Sequence, residues 1–537
     1  MKNRTIYLLF LIIILASFLR LYKLGEIPAG LSTDEATYLY NSYSIFKTGK
    51  DVNGKYLPLS INAGFPLSPV PVYITAPFVG ILGLNSLAGR LPFVILGIAS
   101  VFLLYSISKI LFNNRIALIS SFALAVSPWH IYFSRTAYDS IIALFFFLLA
   151  TYVFLRNLKN GKYYLSAIFF FLAFHSFHAT KIFFLFYIIL LFLIFKKEIL
   201  FYKKAFFMFV ASIFLIFLSF LVITYFDKDA GDRERVFLWN DLQDAVTTIN
   251  WERDKNTAPF FIRNILSNKP LYFLRTIKEN YFEAFSTNFL FLYGEPSFLK
   301  SFYAMKFRGQ LYAIEMLFIL LGFAYFLSEK NKRIGYFIIF SLLISPLPSA
   351  FTTSRTYAVR AIMMLPFLMI FIACGISYLF SLVKNKNLVF LFLFCSYLFS
   401  ITLFSYEYFF QFPVYGAEGW LKSANDMTKF ITQNEQKYKN IYIADINEME
   451  IFHYAIYTQA DFSVIQKAWL STYPKRLGKI TLYKQCFNKG LGNPLDYLPK
   501  STLYFVKKEC FIDSPETYSI NNFGDPIQIV WKIYVKK

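Results

Sequence analysis

The sequence predicts an α-helical polytopic membrane protein with about eleven transmembrane helices and a C-terminal exoplasmic α/β domain. First, 57% of its 537 residues are hydrophobic and only 16% are charged, whereas charged residues make up about a quarter of a typical soluble domain. Second, long apolar runs recur along residues 1–405, and third, the composition becomes more polar and strand-like over residues 406–537. This balance excludes a single soluble enzyme and a disordered chain. Four cysteines are also too few for a disulfide scaffold.

The apolar runs of residues 1–405 define the predicted membrane domain. A spanning helix needs ~20 apolar residues. The first run, Ile6–Leu19, follows a basic N-terminus, and no small-x-small cleavage site precedes Arg20. These features favour an uncleaved first span over a secretory signal peptide. Ten further runs lie at 91–111, 116–132, 140–155, 163–178, 182–195, 205–225, 311–327, 334–347, 357–381 and 388–405.

The basic residues predict the orientation of these spans. The formal net charge is +22, and its clusters fall in every second loop, as the positive-inside rule expects of cytoplasmic loops. We therefore predict a protein of the plasma (cytoplasmic) membrane with a cytoplasmic N-terminus, and no nucleic-acid partner. The segment 70–84 is short and contains Pro71 and Pro77, so we interpret it as an interfacial or re-entrant helix. The clusters are Lys2/Arg4, Lys109/Arg115, Arg156/Lys159/Lys162, Lys196/Lys197/Lys203/Lys204, Lys330/Lys332/Arg333 and Lys384/Lys386.

This topology places three large segments outside the membrane: a first outer loop with juxtamembrane helices at 23–90, a large outer loop at 226–310, and the soluble domain at 406–537. In the soluble domain the patterns predict a helix near Trp420–Gln433 and strands at Asn440–Ala444, Phe462–Ile465, Thr502–Lys507 and Ile527–Val535.

The four cysteines divide between these regions. Cys486 and Cys510 lie in the soluble domain and can pair if the compartment is oxidising. Cys374 and Cys395 lie within predicted spans, which favours a packing role.

Ionisable residues at the ends of apolar spans are the default candidates for a functional site in such a protein. Eight of them fall on the predicted outer side, and this convergence is the strongest functional signal in the sequence. They are Asp34, Glu35, Arg135, Asp139, His178, Lys181, Arg355 and Arg360.

Several of these residues also have an ordinary structural interpretation. Ser32-x-x-Glu35 forms a capping box for a helix over 33–47, which explains Glu35 better than Asp34. Asp34, at a helix start, can also take a proton from an attacking hydroxyl. Thr136-x-x-Asp139 can likewise cap a helix, whereas Arg135 and Lys181 can extend to the membrane interface.

Arg355 and Arg360 are harder to explain structurally. They lie five residues apart on a short outer loop, where two guanidinium groups can bind a phosphate together. The four histidines form no HxxxH or HExxH pattern, CxxC is missing from the sequence, and His175 and His178 are more typical of packing than of half a metal site. We therefore expect neither a metal site nor a cofactor, although a divalent ion stays possible. A site on the outer side also has no access to cytoplasmic nucleotides, so an activated substrate would have to be carried by a lipid.

Two motifs resemble those of the C-type polytopic glycosyltransferases, and most closely the group of protein O-mannosyltransferases and lipid A aminoarabinose transferases. These are Pro28-x-x-Leu-Ser-Thr-Asp34-Glu35 after the first span and Phe133-Ser-Arg135-x-x-x-Asp139 at the end of a later one. The likeness covers about residues 1–380. The segment at 70–84 resembles the juxtamembrane helix of the family, but it begins Ser68-Pro-Val-Pro71 where relatives often have His-Pro-Pro or Lys-Pro-Pro.

The resemblance implies transfer of a sugar from a polyprenyl-phosphate carrier to an acceptor hydroxyl on the outer face, with inversion. Protein, lipid and glycan acceptors all stay open. Asp34 would be the general base, Glu35 would orient it or bind the acceptor, and Asp139 would line the same site. Arg135 would support the acidic pair or the phosphate, and we expect Lys181, Arg355 and Arg360, with His178 beside them, to bind the lipid phosphate.

Two other functions fit parts of the sequence. A flippase or transporter of lipid-linked sugars would also place charges near a cavity, but such proteins favour repeats and charges at mid-membrane depth. An O-antigen-type ligase or polymerase using diphosphate-linked glycans would share the basic outer pocket. Nothing in its usual design requires Asp34-Glu35 directly after the first span.

Overall fold

The computed structural model describes residues 2–226, 237–240, 242–295, 305, 308–328, 332–353, 357–446, 449–486 and 493–537. The helices are α1 (Lys2–Leu21), α2 (Thr33–Thr48), α3 (Pro69–Leu82), α4 (Ser86–Leu111), α5 (Asn114–Val126), α6 (Pro128–Ser134), α7 (Asp139–Asn157), α8 (Ser166–Phe174), α9 (Thr180–Phe201), α10 (Lys203–Phe226), α11 (Leu242–Asp254), α12 (Phe260–Leu266), α13 (Lys269–Glu283), α14 (Glu315–Ser328), α15 (Lys332–Ile344), α16 (Leu347–Ala350), α17 (Tyr357–Arg360), α18 (Leu365–Leu382), α19 (Lys386–Tyr406), α20 (Phe412–Tyr415), α21 (Lys422–Asn434), α22 (Glu450–Thr458), α23 (Phe462–Leu470) and α24 (Pro494–Tyr497). The strands are β1 (Ile61–Asn62), β2 (Pro66–Leu67), β3 (Asn440–Ile443), β4 (Lys475–Leu477), β5 (Ile480–Leu482), β6 (Thr502–Lys507), β7 (Tyr518–Asn522) and β8 (Asp525–Lys536).

The chain forms two compact units. The first unit combines Met1–Tyr22 with Phe93–Phe404, and the second combines Lys23–Pro92 with Ser405–Lys537. The first outer loop, predicted as part of the membrane domain at 1–405, therefore folds together with the C-terminal residues.

The predicted helical membrane fold is confirmed, but fewer helices are long enough to span than the eleven expected. In the described part of the chain, seven helices are long and apolar enough to cross a membrane, or eight if α5 and α6, which meet at a bend of 58°, form one span. The apolar runs at 163–178 and 311–327 coincide with shorter helices at Tyr163–Phe174 and Glu315–Ser328. The run at 182–195 coincides with α9, in which Phe195 has a non-helical backbone.

Close helix packing in the first unit depends on small residues. α14 and α18 approach so closely that a Cβ atom on Gly375 would lie 1.9 Å from the carbonyl oxygen of Phe318. Small residues allow such contacts between membrane helices. Cys374 is buried beside this contact, as predicted, whereas Cys395 is exposed on α19, so its predicted packing role is wrong.

The second unit contains a six-stranded mixed sheet in the order β4-β5-β3-β6-β8-β7. β3 lies parallel to both β5 and β6, and the remaining pairs are antiparallel. The predicted helix near Trp420–Gln433 is confirmed as α21, and the strands predicted at Asn440–Ala444, Thr502–Lys507 and Ile527–Val535 are confirmed as β3, β6 and β8.

One predicted strand in this unit is wrong. Residues Phe462–Ile465 begin the helix α23, because the side chain of Asp461 accepts a hydrogen bond from the amide of Ser463 and caps the first turn. Cys486 and Cys510 form a disulfide, so the pairing that the sequence left open is present.

Candidate active site

The start of α2 carries the acidic pair Asp34-Glu35. The Ser32 hydroxyl accepts a hydrogen bond from the Glu35 amide at 3.2 Å, and a Glu35 carboxylate oxygen accepts one from the Ser32 amide at 3.2 Å. The predicted capping box is therefore confirmed. Glu35 is fully buried, whereas Asp34 is half-buried at the same turn, so the two carboxylates have different environments.

Arg90 occupies the centre of the polar contacts around Glu35. Its Nε and Nη2 atoms donate to the two Glu35 carboxylate oxygens, each at 2.9 Å. The other bonds of the guanidinium go to the carbonyls of Leu24, Pro28 and Gly30 at 3.2, 3.1 and 2.6 Å. Both side chains are completely buried. The pair thus fixes the backbone that leads into Asp34, as bidentate arginine geometry allows.

The C-terminal part of the second unit holds the same loop. Trp420 lies under the Arg90 guanidinium at 5.7 Å. A Cβ atom on Gly30 would lie only 2.0 Å from the Trp420 carbonyl oxygen, so glycine is required there. The loop 28–34 is therefore packed between Arg90 and the residues that follow 405.

His453 provides a further contact from α22. Its Nε2 atom lies 2.9 Å from the Leu31 carbonyl oxygen. A carbonyl oxygen only accepts hydrogen bonds, so Nε2 carries the proton. Burial lowers the pKa of His453, which favours the neutral form of the ring.

In the first unit, Arg135 and Asp139 lie where α6 meets α7. Arg135 is completely buried and donates to the carbonyls of Leu19 and Arg20 at 3.3 and 2.8 Å. A side chain extended to the interface is therefore excluded for Arg135. Asp139 is the first residue of α7 and only 5% exposed, where the helix dipole favours a carboxylate.

The predicted cap by Thr136 is wrong. The residue before α7 is Tyr138, and the Thr136 hydroxyl donates to the carbonyls of Tyr132 and Phe133 instead. These carbonyls belong to the preceding helix, so Thr136 bonds backwards along the chain.

Arg20 and His130 were not predicted as site residues, yet they hold the break between α5 and α6. Arg20 donates to the carbonyls of Leu124 and Ala125 at 3.1 and 2.8 Å, and it lies 2.7 Å from His130 Nδ1. These carbonyls end α5 and have no partner within their own helix. Arg20 thus stabilises the bend that precedes Arg135.

His178 and Lys181 lie at the start of α9. Lys181 Nζ is 3.4 Å from His178 Nδ1 and lies over the ring of Phe220 at 4.0 Å from its centre. Both residues are half-buried. His175 instead lies 3.0 Å from the Ser219 hydroxyl, which agrees with its expected packing role.

Arg360 is positioned by the backbone of the short helix α17. Ala358 donates its amide to Glu295 at 2.6 Å, and its carbonyl accepts from Trp129 Nε1 at 3.0 Å. Arg360 Nη1 donates to the Thr352 hydroxyl at 2.5 Å. Arg355 lies outside the described residues.

The elements that carry these basic residues pack together within the first unit. α16 contacts both α9, which begins beside Lys181, and α17, which contains Arg360. α7, which begins at Asp139, contacts α6 and the turn Ile362–Met364 directly after α17. These contacts join the elements, and the grouping of the side chains themselves stays a prediction.

Among the described residues, one group of three metal-ligating side chains lies close together: Asp445, Cys486 and Cys510. The two sulfurs form a disulfide, so they do not bind as thiolates. This group does not fit a metal site.

Part of the chain is similar in sequence to a mannosyltransferase family and to one curated relative. Residues 66–223 match the family described as dolichyl-phosphate-mannose-protein mannosyltransferase. The putative mannosyltransferase YkcB of Bacillus subtilis is 27% identical over 165 residues, which cover 30% of this chain and 22% of that protein. The chain thus spans less than a quarter of the curated relative it matches. The matched family range includes Arg135, Asp139 and Lys181 but not Asp34.

Two solved structures share the fold over almost the whole chain. ArnT from Cupriavidus metallidurans, bound to undecaprenyl phosphate, matches with a TM-score of 0.51 and 10% identity, over 99% of this chain and 97% of ArnT. The oligosaccharyltransferase of Archaeoglobus fulgidus, in complex with zinc and sulfate, matches with a TM-score of 0.50 and 13% identity, over 93% of this chain and 68% of that protein. The fold is that of the polytopic membrane glycosyltransferases. Within that class, the predicted resemblance to the mannosyltransferase and aminoarabinose transferase group is confirmed.

Arg90 is the main residue that the sequence analysis missed. Arg90 directly precedes the apolar run at 91–111 and falls within the predicted outer loop 23–90. The available signal was a charge on a segment that is apolar on both sides, since buried charges require partners. Glu295 gave no such signal, because its partner is a backbone amide more than sixty residues away along the chain.

Proposed function

We propose that this protein is a membrane glycosyltransferase that moves a sugar from a polyprenyl-phosphate carrier to an acceptor hydroxyl, with inversion at the anomeric carbon. The observation that carries the proposal is the contrast within the acidic pair: Glu35 is bound on both carboxylate oxygens by Arg90, while the adjacent Asp34 is half-buried at the helix start. A rigidly held loop that carries a second, half-buried carboxylate at a helix start suits general-base catalysis.

The proposed step exchanges two bonds at the anomeric carbon. The acceptor oxygen forms a bond to that carbon as the bond to the carrier phosphate breaks, and the electron pair leaves with the phosphate. Asp34 takes the acceptor proton. Inversion follows because the nucleophile and the leaving group lie on opposite faces of the sugar.

Glu35 then acts as a positioning residue rather than a second base. Its carboxylate is fixed by Arg90 and by the capping bond to Ser32. It therefore orients the turn that carries Asp34. Asp139, buried at the start of α7, lines the site in this proposal.

The basic residues of the first unit would bind the donor phosphate, where negative charge increases as the sugar leaves. We assign this role to Lys181, Arg355 and Arg360, with His178 beside Lys181 and with Arg135 supporting them. Positioned donors of this kind are worth roughly 3 kcal/mol each, or about a hundredfold in turnover. The fold shared with ArnT, which was solved with undecaprenyl phosphate, supports this class of donor.

The reaction as proposed needs no cofactor. The acceptor can be a protein, a lipid or a glycan, and the transfer would occur at the outer face of the plasma membrane, with the N-terminus in the cytoplasm. The protein spans the membrane several times, which suits a donor whose isoprenoid tail stays in the bilayer.

The test is the Asp34→Asn variant in a transfer assay with labelled sugars on polyprenyl phosphate. We expect a loss of about a hundredfold or more in turnover with donor binding retained, because a general base contributes roughly 10²–10⁴. Glu26→Gln is the matched control, since Glu26 is an exposed acid in the same segment, and we expect it to be unchanged.

Two results would contradict the proposal. Full activity of the Asp34→Asn variant would mean that the acidic pair only stabilises the start of α2. Asp139 would then be the next candidate for the base. If the unmodified protein transferred no sugar from any donor but moved lipid-linked sugar across vesicle membranes, the flippase hypothesis would replace this one.

A further inference from the structure

The large loop of the first unit contains a helical hairpin built from α11, α12 and α13, which we call the loop hairpin. Its short middle helix, Phe260–Leu266, has the sequence FFIRNIL, and none of these seven residues is buried within the described part of the chain. The five large apolar side chains of α12 are between 43% and 72% exposed, and Trp251 of α11 is 63% exposed. A surface of this kind is unusual for a segment in water.

The polar groups of the loop hairpin bond to one another. Arg253 Nε donates to the Ser267 carbonyl at 2.8 Å, and Arg263 Nη1 donates to the Arg253 carbonyl at 2.9 Å. Arg275 forms two hydrogen bonds with the Glu252 carboxylate at 2.6 and 3.0 Å. These bonds fix α12 against the neighbouring helices while its apolar side chains stay on the surface.

The base of the loop hairpin is attached to a membrane helix. Tyr281, near the end of α13, donates its hydroxyl to the Leu343 carbonyl at 2.8 Å, and Leu343 belongs to the span Lys332–Ala350. Tyr281 and Phe282 also line an apolar groove of about 460 Å³ together with residues of α14, α15 and α18. The apolar surface of the membrane helices therefore continues into the hairpin.

We propose that the loop hairpin is a membrane-contacting element whose tip, α12, inserts its apolar side chains into the interfacial region of the lipid bilayer. Aromatic and aliphatic side chains next to basic residues are typical of interfacial helices. Over residues 251–270 the basic residues Arg253, Lys255, Arg263 and Lys269 outnumber the acidic Glu252 and Asp254, which suits anionic headgroups. This inference is independent of the proposed transferase activity.

The experiment measures the depth of α12 with a fluorescent label. Cys395 is exposed on the span α19 and provides a lipid-facing reference in the unmodified chain. In a Cys395→Ser chain, Phe261→Cys places a thiol on α12, and Lys437→Cys places one on an exposed residue of the second unit as a water-facing control. Each full-length protein is labelled with an environment-sensitive fluorophore and reconstituted in phosphatidylcholine and phosphatidylglycerol vesicles.

Two quenchers then distinguish the possible surroundings of α12. We expect lipid-borne nitroxide to quench the label at 261 at least half as strongly as the label at 395, with little quenching at 437. Soluble iodide should quench the label at 437 strongly and the labels at 261 and 395 weakly.

Two outcomes would overturn the proposal. Quenching at 261 by iodide alone would place α12 in water. Protection from both quenchers would mean that protein, either a second copy or a bound polypeptide, covers it. Phe260→Cys repeats the measurement on the adjacent residue if the first variant does not fold.

Discussion

At the scale of single residues, Arg90 bonds five oxygen atoms around the loop that leads to Asp34. Lysine cannot replace this geometry, because its ammonium group has three donors and no planar fork. We predict that Arg90→Lys lowers turnover by about tenfold or more while changing the KM for the donor much less, since 1.4 kcal/mol of lost positioning corresponds to a factor of ~10. Transfer kinetics with varied donor concentration would measure this split.

A second variant separates the effect of the Arg90 charge from the effect of its hydrogen-bond geometry. Arg90→Met leaves the buried Glu35 carboxylate uncompensated, which typically costs about 3–5 kcal/mol. Adding Glu35→Gln should recover part of that stability in thermal unfolding without restoring activity. Equal stability of the single and double variants would show that the two side chains are not energetically coupled.

The role of a residue could be predicted when its contacts were close in sequence and not when they were distant. The capping box of Ser32 and Glu35 is local in sequence, so the pattern alone predicted it correctly. The partner of Glu35 lies fifty-five residues away on α4, and no local pattern shows which arginine fills that role. Arg135 looked like an interfacial side chain, but its partners are carbonyls of α1 more than a hundred residues earlier.

At the scale of elements, α22 is joined to the loop before α2 by the bond between His453 and the Leu31 carbonyl. Burial lowers the pKa of His453 below its usual value, while the carboxylates of Glu450 and Glu35 oppose that shift. In the unfolded chain the ring titrates near a pKa of about 6.5. Below that pH the unfolded state takes up a proton that the folded state does not, so stability decreases as the pH falls.

We therefore predict that α22 and the start of α2 lose stability by up to about 1.4 kcal/mol per pH unit below pH ~6.5. His453→Gln keeps an amide donor for Leu31 but does not titrate. The stability of this variant should therefore depend less steeply on pH. Hydrogen exchange of peptides from Glu450–Thr458 and Thr33–Thr48 at several pH values would measure the difference. His175→Gln, in the first unit, should leave this pH dependence unchanged. If stability depended equally on pH in the unmodified protein and in both variants, the assignment of the effect to His453 would be contradicted.

Elements were predicted well where periodicity and caps agreed. The helix at 33–47 and the strands β3, β6 and β8 follow directly from their patterns. The strand expected at Phe462–Ile465 was wrong because a short apolar run fits both a strand and a buried helix, and the cap of Asp461 decided the outcome. The break in α9 at Phe195 could not be predicted, because α9 contains no proline or glycine.

At the scale of the whole molecule, composition correctly predicted the membrane class, whereas the functional region indicated by the spacing of charges stays a prediction. The grouping of Lys23–Pro92 with Ser405–Lys537 in one compact unit could not be predicted. It depends on contacts across more than three hundred residues, such as those of Gly30 with Trp420 and of Asn53 with Trp469.

Orientation in the membrane is the property of the whole chain that the sequence predicts and an experiment can decide. The basic clusters predict that the loop containing Lys159 is cytoplasmic. A disulfide such as that between Cys486 and Cys510 persists in an oxidising compartment, which is compatible with the predicted outer location of the C-terminal residues. In a Cys395→Ser chain, we predict that Lys437→Cys reacts with a membrane-impermeant maleimide in intact cells, whereas Lys159→Cys reacts only after permeabilisation. Both lysines are exposed, so accessibility within the fold is matched and the membrane accounts for the difference.

The reverse labelling pattern would invert the topology and place Asp34 and the basic residues on the cytoplasmic side, where the proposed lipid-linked donor would lose its advantage over a soluble nucleotide sugar.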